Sequence, residues 1–172
     1  MPSVTEKAFT YVFPANWRAE KFDKDAFYLG HFSSFAGGTK AVDVLAFGDD
    51  NELWLIEQKD YRQGAQIKAV ELLEAVARKM SGTLACLVAA RSRAATGSAS
   101  QILAHDALHK YKVRCALHIE QPQKPSKLHP QVIDPKSIRD KLRQTLGAID
   151  PHSEGGDKSV LNGRGRLPCA IT

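Results

Sequence analysis

Residues 40–59 read KAVDVLAFGDDNELWLIEQK, and the reading of this stretch decides the fold. Two runs of strand type, residues 40–47 and 52–59, flank Gly48-Asp49-Asp50-Asn51. That cluster has turn chemistry, so the expected unit is a β-hairpin. An acid interrupts each apolar run: Asp43 lies inside AVDVL and Glu57 ends LWLIE. Setting a carboxylate beside a core is costly unless something compensates it. Lys59 follows Glu57 by two residues and therefore shares its sheet face.

Parity turns this into a register question. If Asp43 opposes Glu57, Gly48 opposes Glu52 and three loop residues remain, a common hairpin length. A two-residue loop instead puts Asp43 opposite Ile56 and sends Glu57 to the other face. A site on one face therefore requires the odd loop, or a bulge of the same effect. With the odd loop, two carboxylates converge with an ammonium beside them. Oxygen ligands of this kind suit Mg²⁺ or Mn²⁺, and such an ion polarises a phosphate and lowers the pKa of a bound water. Lys59 would orient or deprotonate that water, or stabilise charge developing on the phosphate. The bland alternative makes Asp43 a strand residue facing water and Glu57–Lys59 a surface pair of little energetic consequence.

Asp43 followed by Glu57-Gln58-Lys59 resembles the D…(D/E)xK signature of the PD-(D/E)XK nuclease superfamily, the restriction-endonuclease-like proteins. The run LIEQKDYR (residues 55–62), followed by a helix, is similar to the third core strand and next helix of that superfamily. The resemblance covers residues 39–90, with 113–119 as a later strand. It implies a mixed four-stranded core sheet flanked by helices. By that resemblance Asp43 and Glu57 ligate metal, the Gln58 carbonyl adds a ligand, and Lys59 assists the water. Val42 stands where the signature often has proline, which removes no ligand. A further upstream acid is not obvious, with Glu20 and Asp23 as candidates and Glu6 as a weaker one. Gln66 and Lys68, at the start of the following helix, are placed to face the site.

Outward from the hairpin, residues 8–13 read as a short strand ended by Pro14, and residues 16–25 as a helix turn or surface loop. Residues 26–35 are aromatic-rich and fit helix or strand. Residues 65–80 read as an amphipathic helix with Ile67, Val70, Leu73, Val76 and Ala77 on one side, capped by Gly82. The continuous apolar run 83–90 then reads as a buried strand. Residues 98–110 read as a Ser-capped helix and 113–119 as a strand. The Pro- and Lys-rich stretch 121–133 reads as a linker. Asp134-Pro135 reads as the cap and first position of a helix ending at residue 146. Residues 150–166 read as a mobile tail, followed by a possible terminal strand at 167–172.

The chain has 172 residues, a net charge of +5 and 43% hydrophobic residues. That is one domain of ordinary size, with a basic excess that favours an anionic partner. Arg91, Arg93, Lys110, Lys112 and Arg114, then Lys124, Lys127, Lys136, Arg139, Lys141 and Arg143, are candidates for a phosphate track, although a solvated charged surface explains them equally well. Arg164 and Arg166 flank glycine and are candidates for backbone phosphate contacts. The three cysteines, Cys86, Cys115 and Cys169, have no zinc spacing and suggest no disulfide framework. His105 and His109 have chelating i, i+4 spacing but no third ligand, so a solvated helix face is favoured. Gly163-Arg164-Gly165 lacks the strand–helix context of a dinucleotide site. No signal peptide and no apolar run long enough to span a bilayer are visible, so a cytoplasmic protein without membrane contact is expected.

The expectation is an α/β fold with a central mixed sheet and a restriction-endonuclease-like core. Residues 1–120 form the core, 121–133 a linker, and 134–172 a helix and flexible tail packed on the same domain. The expected function is Mg²⁺-dependent (or Mn²⁺-dependent) hydrolysis of nucleic acid, DNA in the first place. Asp43, Glu57 and Lys59 are the catalytic residues, and Asp43, Glu57 and Gln58 the metal ligands. The alternatives are a non-catalytic nuclease-like module that binds nucleic acid or protein, and a defence-associated accessory protein whose homodimer or protein partner completes the site.

Overall fold

The computed structural model describes residues 1–64 and 67–172. Its centre is a mixed five-stranded sheet of β3 (Arg18–Lys21), β4 (Val44–Phe47), β5 (Glu52–Asp60), β6 (Lys112–Glu120) and β7 (Glu154–Gly156), in that spatial order. The first three strands are antiparallel, and β5–β6 and β6–β7 are parallel. The parallel steps need crossovers. Helices α1 (Ala69–Arg93) and α2 (Ala99–Leu108) make the first, and α3 (Ile138–Leu146) lies in the second. A second sheet of β1 (Ser3–Glu6), β2 (Phe9–Val12) and β8 (Ala170–Ile171), with α4 (Lys158–Arg164), completes the chain.

Strand alternation divides the core in two. Leu45, Leu53, Leu55 and Leu117 pack against α1, α2 and α3 on one face. Val44, Ala46, Trp54 and Ile56 pack against Phe9, Tyr11, Phe13 and Ile171 on the other. The central sheet is thus covered on both faces, as a parallel segment requires. No helix among the described residues is long and apolar enough to cross a membrane.

The hairpin register is the odd one. Val44 stands opposite Ile56 and Phe47 opposite Leu53. The same spacing sets Asp43 opposite Glu57 and leaves residues 49–51 as the loop. Asn51 closes that loop with φ 59°, a left-handed conformation asparagine tolerates.

Several readings from sequence are corrected. Residues 67–80 and 83–90 are not a separate helix and strand, because α1 runs unbroken from Ala69 through Arg93, and residues 65–66, where the expected helix began, lie outside the described residues. The Ala- and Leu-rich run 83–90 buries Thr83, Cys86, Leu87 and Ala90 at helical spacing and leaves Val88 60% exposed. Val70, expected inward, is exposed too. Gly82 does not end the helix but lets it approach the chain before β4: a Cβ there would lie 2.6 Å from the Lys40 carbonyl oxygen. The polar run 18–21 is an edge strand, whose charges discourage further pairing. Residues 154–156, read as part of a mobile tail, form the buried fifth strand, because Glu154 finds Arg143, Arg164 and Arg166 as partners. Asp134 caps a turn rather than α3, accepting from the Lys136 N–H, and the helix starts after Ser137. The start of α2 is as read, with Ser98 accepting the Gln101 N–H.

A buried polar chain ties the two sheets together. The His118 ring lies 2.7 Å from the Tyr11 hydroxyl through Nδ1 and 3.1 Å from Glu120 Oε1 through Nε2. A carboxylate only accepts, so Nε2 carries the proton and Nδ1 accepts from Tyr11. Burial holds the imidazole pKa below its ordinary value, against the pull of Glu120.

Two outcomes are expected. Gly82→Ala lowers stability by roughly 1–3 kcal/mol, since the obstacle is backbone and cannot swing aside, and thermal melts measure it. For His118 the folded pKa lies below the unfolded one. Its contribution is therefore complete above the ordinary histidine value of about 6.5 and is lost as pH falls toward the folded value. The melting temperature should drop between about pH 7.5 and about pH 5.5, and less steeply in His118→Asn. An equal slope in the variant would remove His118 as the source.

Candidate active site

The site begins where β4 leaves β5. Gly82 admits α1 to the segment before β4, and the next residue, Thr83, accepts the Val42 N–H at 3.0 Å through Oγ1. Val42 therefore makes no ladder bond to β5, and the Asp43 carboxylate takes its place. Asp43 Oδ2 accepts the Gln58 N–H at 2.8 Å. A strand residue turns its N–H and C=O toward the same neighbour, so the Gln58 carbonyl is directed to the Asp43 side as well. The Gln58 side chain points to the opposite face and is buried, with neither amide atom partnered among the described residues.

Glu57 stands beside Asp43 and is wholly buried. Its Oε1 accepts from two ammonium groups, Lys59 Nζ at 2.6 Å and Lys79 Nζ at 2.6 Å. Lys79 Nζ also lies 3.4 Å from Asp43 Oδ1, so one ammonium bridges both carboxylates. Glu57 Oε2 is buried without a hydrogen-bond partner among the described residues. Burial first, and then the negative charge of Asp43, raise the Glu57 pKa, while the two lysines pull it down. Burial opposes the charge on Lys79, but Glu57 and Asp43 outweigh it and its pKa is raised. Lys79 therefore stays a cation, and a buried anion and its cations hold one another in place.

The structure brings Asp43, Glu57, Lys59 and the Gln58 backbone together. It does not bring an upstream acid to them. Glu6 pairs with Lys21 at 2.6 Å, Glu20 with Arg18 at 3.1 Å, and Asp23 with Lys24 at 3.6 Å. No cluster of three or more His, Cys, Asp or Glu side chains suited to a metal occurs among the described residues. Lys68 is an exposed flanking residue of α1 and Gln66 lies outside the described residues. Lys79 escaped the sequence reading. Its signal is a lysine three residues after Val76 and four before Thr83, inside the buried stripe of α1.

Two of the remaining candidates are structural. Cys86 and Cys115 are buried, and burial pushes each thiol up to about 12, which suits core residues rather than nucleophiles. The His105 and His109 rings lie 4.2 Å apart at the C-terminal end of α2, and His109 Nδ1 is engaged with the His105 carbonyl.

No protein-family model matches the chain, and no solved structure matches it. Among curated proteins, a cysteine–tRNA ligase of Neisseria meningitidis serogroup A / serotype 4A is 28% identical over 174 aligned residues. The alignment takes in 83% of this chain and 25% of that protein, so the chain spans about a quarter of the relative's length.

The backbone role of Asp43 sets the way it should be probed. Asp43→Ala leaves the Gln58 N–H without an acceptor and should cost roughly 1–3 kcal/mol. Asp43→Asn keeps an oxygen at that position and should cost less. Denaturant melts that gave equal losses for both would show that this bond is not what Asp43 contributes.

Proposed function

We propose that the chain is a metal-dependent nuclease with a restriction-endonuclease-like core, hydrolysing phosphodiester bonds at the Asp43–Glu57 pair. The observation that carries this reading is the convergence of two buried carboxylates on one face, with two ammonium groups beside them. The donor set fits a hard divalent cation. It is all oxygen, the Gln58 carbonyl is turned toward it, and Glu57 Oε2 has no hydrogen-bond partner among the described residues. Asp43, Glu57 and the Gln58 carbonyl would hold Mg²⁺ or Mn²⁺, which when bound supplies a Lewis acid and an acidified water.

The chain's own residues do the rest. Lys59 and Lys79 line an open groove beside the pair and meet a phosphate that enters it. Lys79, kept charged by its carboxylate neighbours, neutralises phosphate charge. Lys59, 23% exposed, orients the attacking water and stabilises charge as the phosphate becomes pentacoordinate. The substrate is nucleic acid. The name of the matched relative speaks of tRNA, which places RNA beside DNA as a substrate to test.

A second reading has one specific observation in its favour. Lys79 Nζ already occupies the position between the two carboxylates, as it would in a binding module that holds nucleic acid without cutting.

The deciding experiment incubates supercoiled plasmid, single-stranded DNA and tRNA with Mg²⁺ or Mn²⁺. Wild type should cleave at least one of them. Asp43→Asn and Lys59→Ala should each lose roughly 100-fold or more in rate. Full activity in Asp43→Asn sinks the assignment. Absence of cleavage together with absence of Mn²⁺ binding by calorimetry transfers the site to the binding-module reading.

A further inference from the structure

The groove that Lys59 and Lys79 border has a volume of about 730 Å³. One wall is α1, with Arg78 and Lys79. The other is the segment from Phe32 to Lys40. Among the described residues its charged lining consists of four cations, Lys40, Lys59, Arg78 and Lys79, with no acidic side chain. Lys40 and Arg78 are exposed at its mouth, while Lys59 and Lys79 lie inward at Glu57.

The second feature is aromatic. Phe35 is 58% exposed on the groove wall. It is braced by a row of rings, with Phe32 at 5.3 Å from it and Phe27 a further 6.3 Å behind. Three consecutive residues with positive φ, Ala36 (52°), Gly37 (80°) and Gly38 (105°), turn the chain immediately after Phe35 and lead it back to Lys40. The Thr39 N–H and hydroxyl both return to the Phe35 carbonyl and fix that turn. A phenyl ring held out to solvent, braced from behind and flanked by cations, offers a flat face and nearby charge neutralisation together.

We infer that this groove receives a single strand of nucleic acid, with a base stacked on Phe35 and phosphates held by Lys40 and Arg78. A phenyl platform needs an unpaired base with a free face, which the interior of a duplex does not offer. Every base has such a face, so the platform grips the strand without reading its sequence. Lys59 and Lys79 line the same groove and both contact Glu57, so a strand lying along it passes the carboxylate pair. The proposal rests on the hydrolytic reading for what befalls the strand, while its binding is separable from it.

The test measures fluorescence anisotropy of labelled oligonucleotides in EDTA: a mixed-sequence DNA strand, the same sequence as RNA, and the DNA duplex. Wild type should bind at least one single strand about tenfold or more tighter than duplex. Phe35→Ala should lose about tenfold on the single strand, and Phe35→Trp should restore it. The exposure of Phe35 predicts unchanged melting for both variants. Lys40→Ala with Arg78→Ala should weaken binding and reduce the salt slope by about one to two. Tighter binding to DNA or to RNA identifies the sugar and supports the groove either way. Equal or tighter binding to duplex, or an unchanged Phe35→Ala, overturns it. Asp43→Asn separates the two proposals. Phe35-dependent binding without cleavage by wild type leaves the groove standing and removes the nuclease. Plasmid cleavage indifferent to Phe35→Ala does the reverse.

Discussion

The arrangement around the carboxylates depends on one hydrogen bond, from the Gln58 amide to Asp43. A central strand cannot lose a ladder partner without leaving a buried donor unmet. Here β4 departs one residue early, and a side chain supplies the acceptor that the backbone withdraws. The departure is forced from outside the sheet. Gly82 lets α1 touch the segment before β4, and Thr83 then claims the Val42 amide. Helix, strand end and carboxylate are thus linked through three consecutive contacts, and the orientation of Asp43 follows from backbone needs before any chemistry is considered.

The hairpin was legible because parity leaves few choices. Two apolar runs, a turn cluster between them and an acid in each reduce the question to an odd or even loop. The odd loop sets Asp43, Glu57 and Lys59 on one face. The position of β6 and the start of α2 were equally open to reading, through an apolar run bounded by polar residues and through a serine cap. What local pattern could not supply was the identity of residues 83–90. A short apolar run fits buried strand and buried helix alike. In the structure the run continues α1, and Gly82 lets that helix lie against the Lys40 carbonyl. Reading Gly82 as a stop also divided α1 just beyond Lys79 and obscured the stripe in which that lysine sits.

The fifth strand was hidden for a different reason. Glycines and charges usually mark exposed chain, and residues 150–166 have both. Glu154 is nevertheless buried because three arginines, two of them beyond the strand itself, converge on it. The small Gly155 and Gly156 fit under α3 and α4, where a Cβ would strike Ile138 and Val160. Composition reports average exposure. It does not report that distant partners will neutralise a particular carboxylate.

The charges at the site have a division of labour. Asp43 and Glu57 carry two negative charges, and Lys59 and Lys79 two positive ones, so the buried cluster is close to neutral. That balance is what permits a wholly buried glutamate on a sheet face. It also means that the cluster by itself draws a polyanion only weakly. The cations at the mouth are Lys40 and Arg78, the latter in an exposed pair with Glu74 at 3.3 Å that solvent screens and a phosphate backbone can replace. On the hydrolytic reading, the interior pairs set the geometry of the reaction and the exterior cations set the encounter. Changes at the mouth should then act on binding and its salt dependence, whereas changes at Asp43 or Lys59 act on the rate after binding.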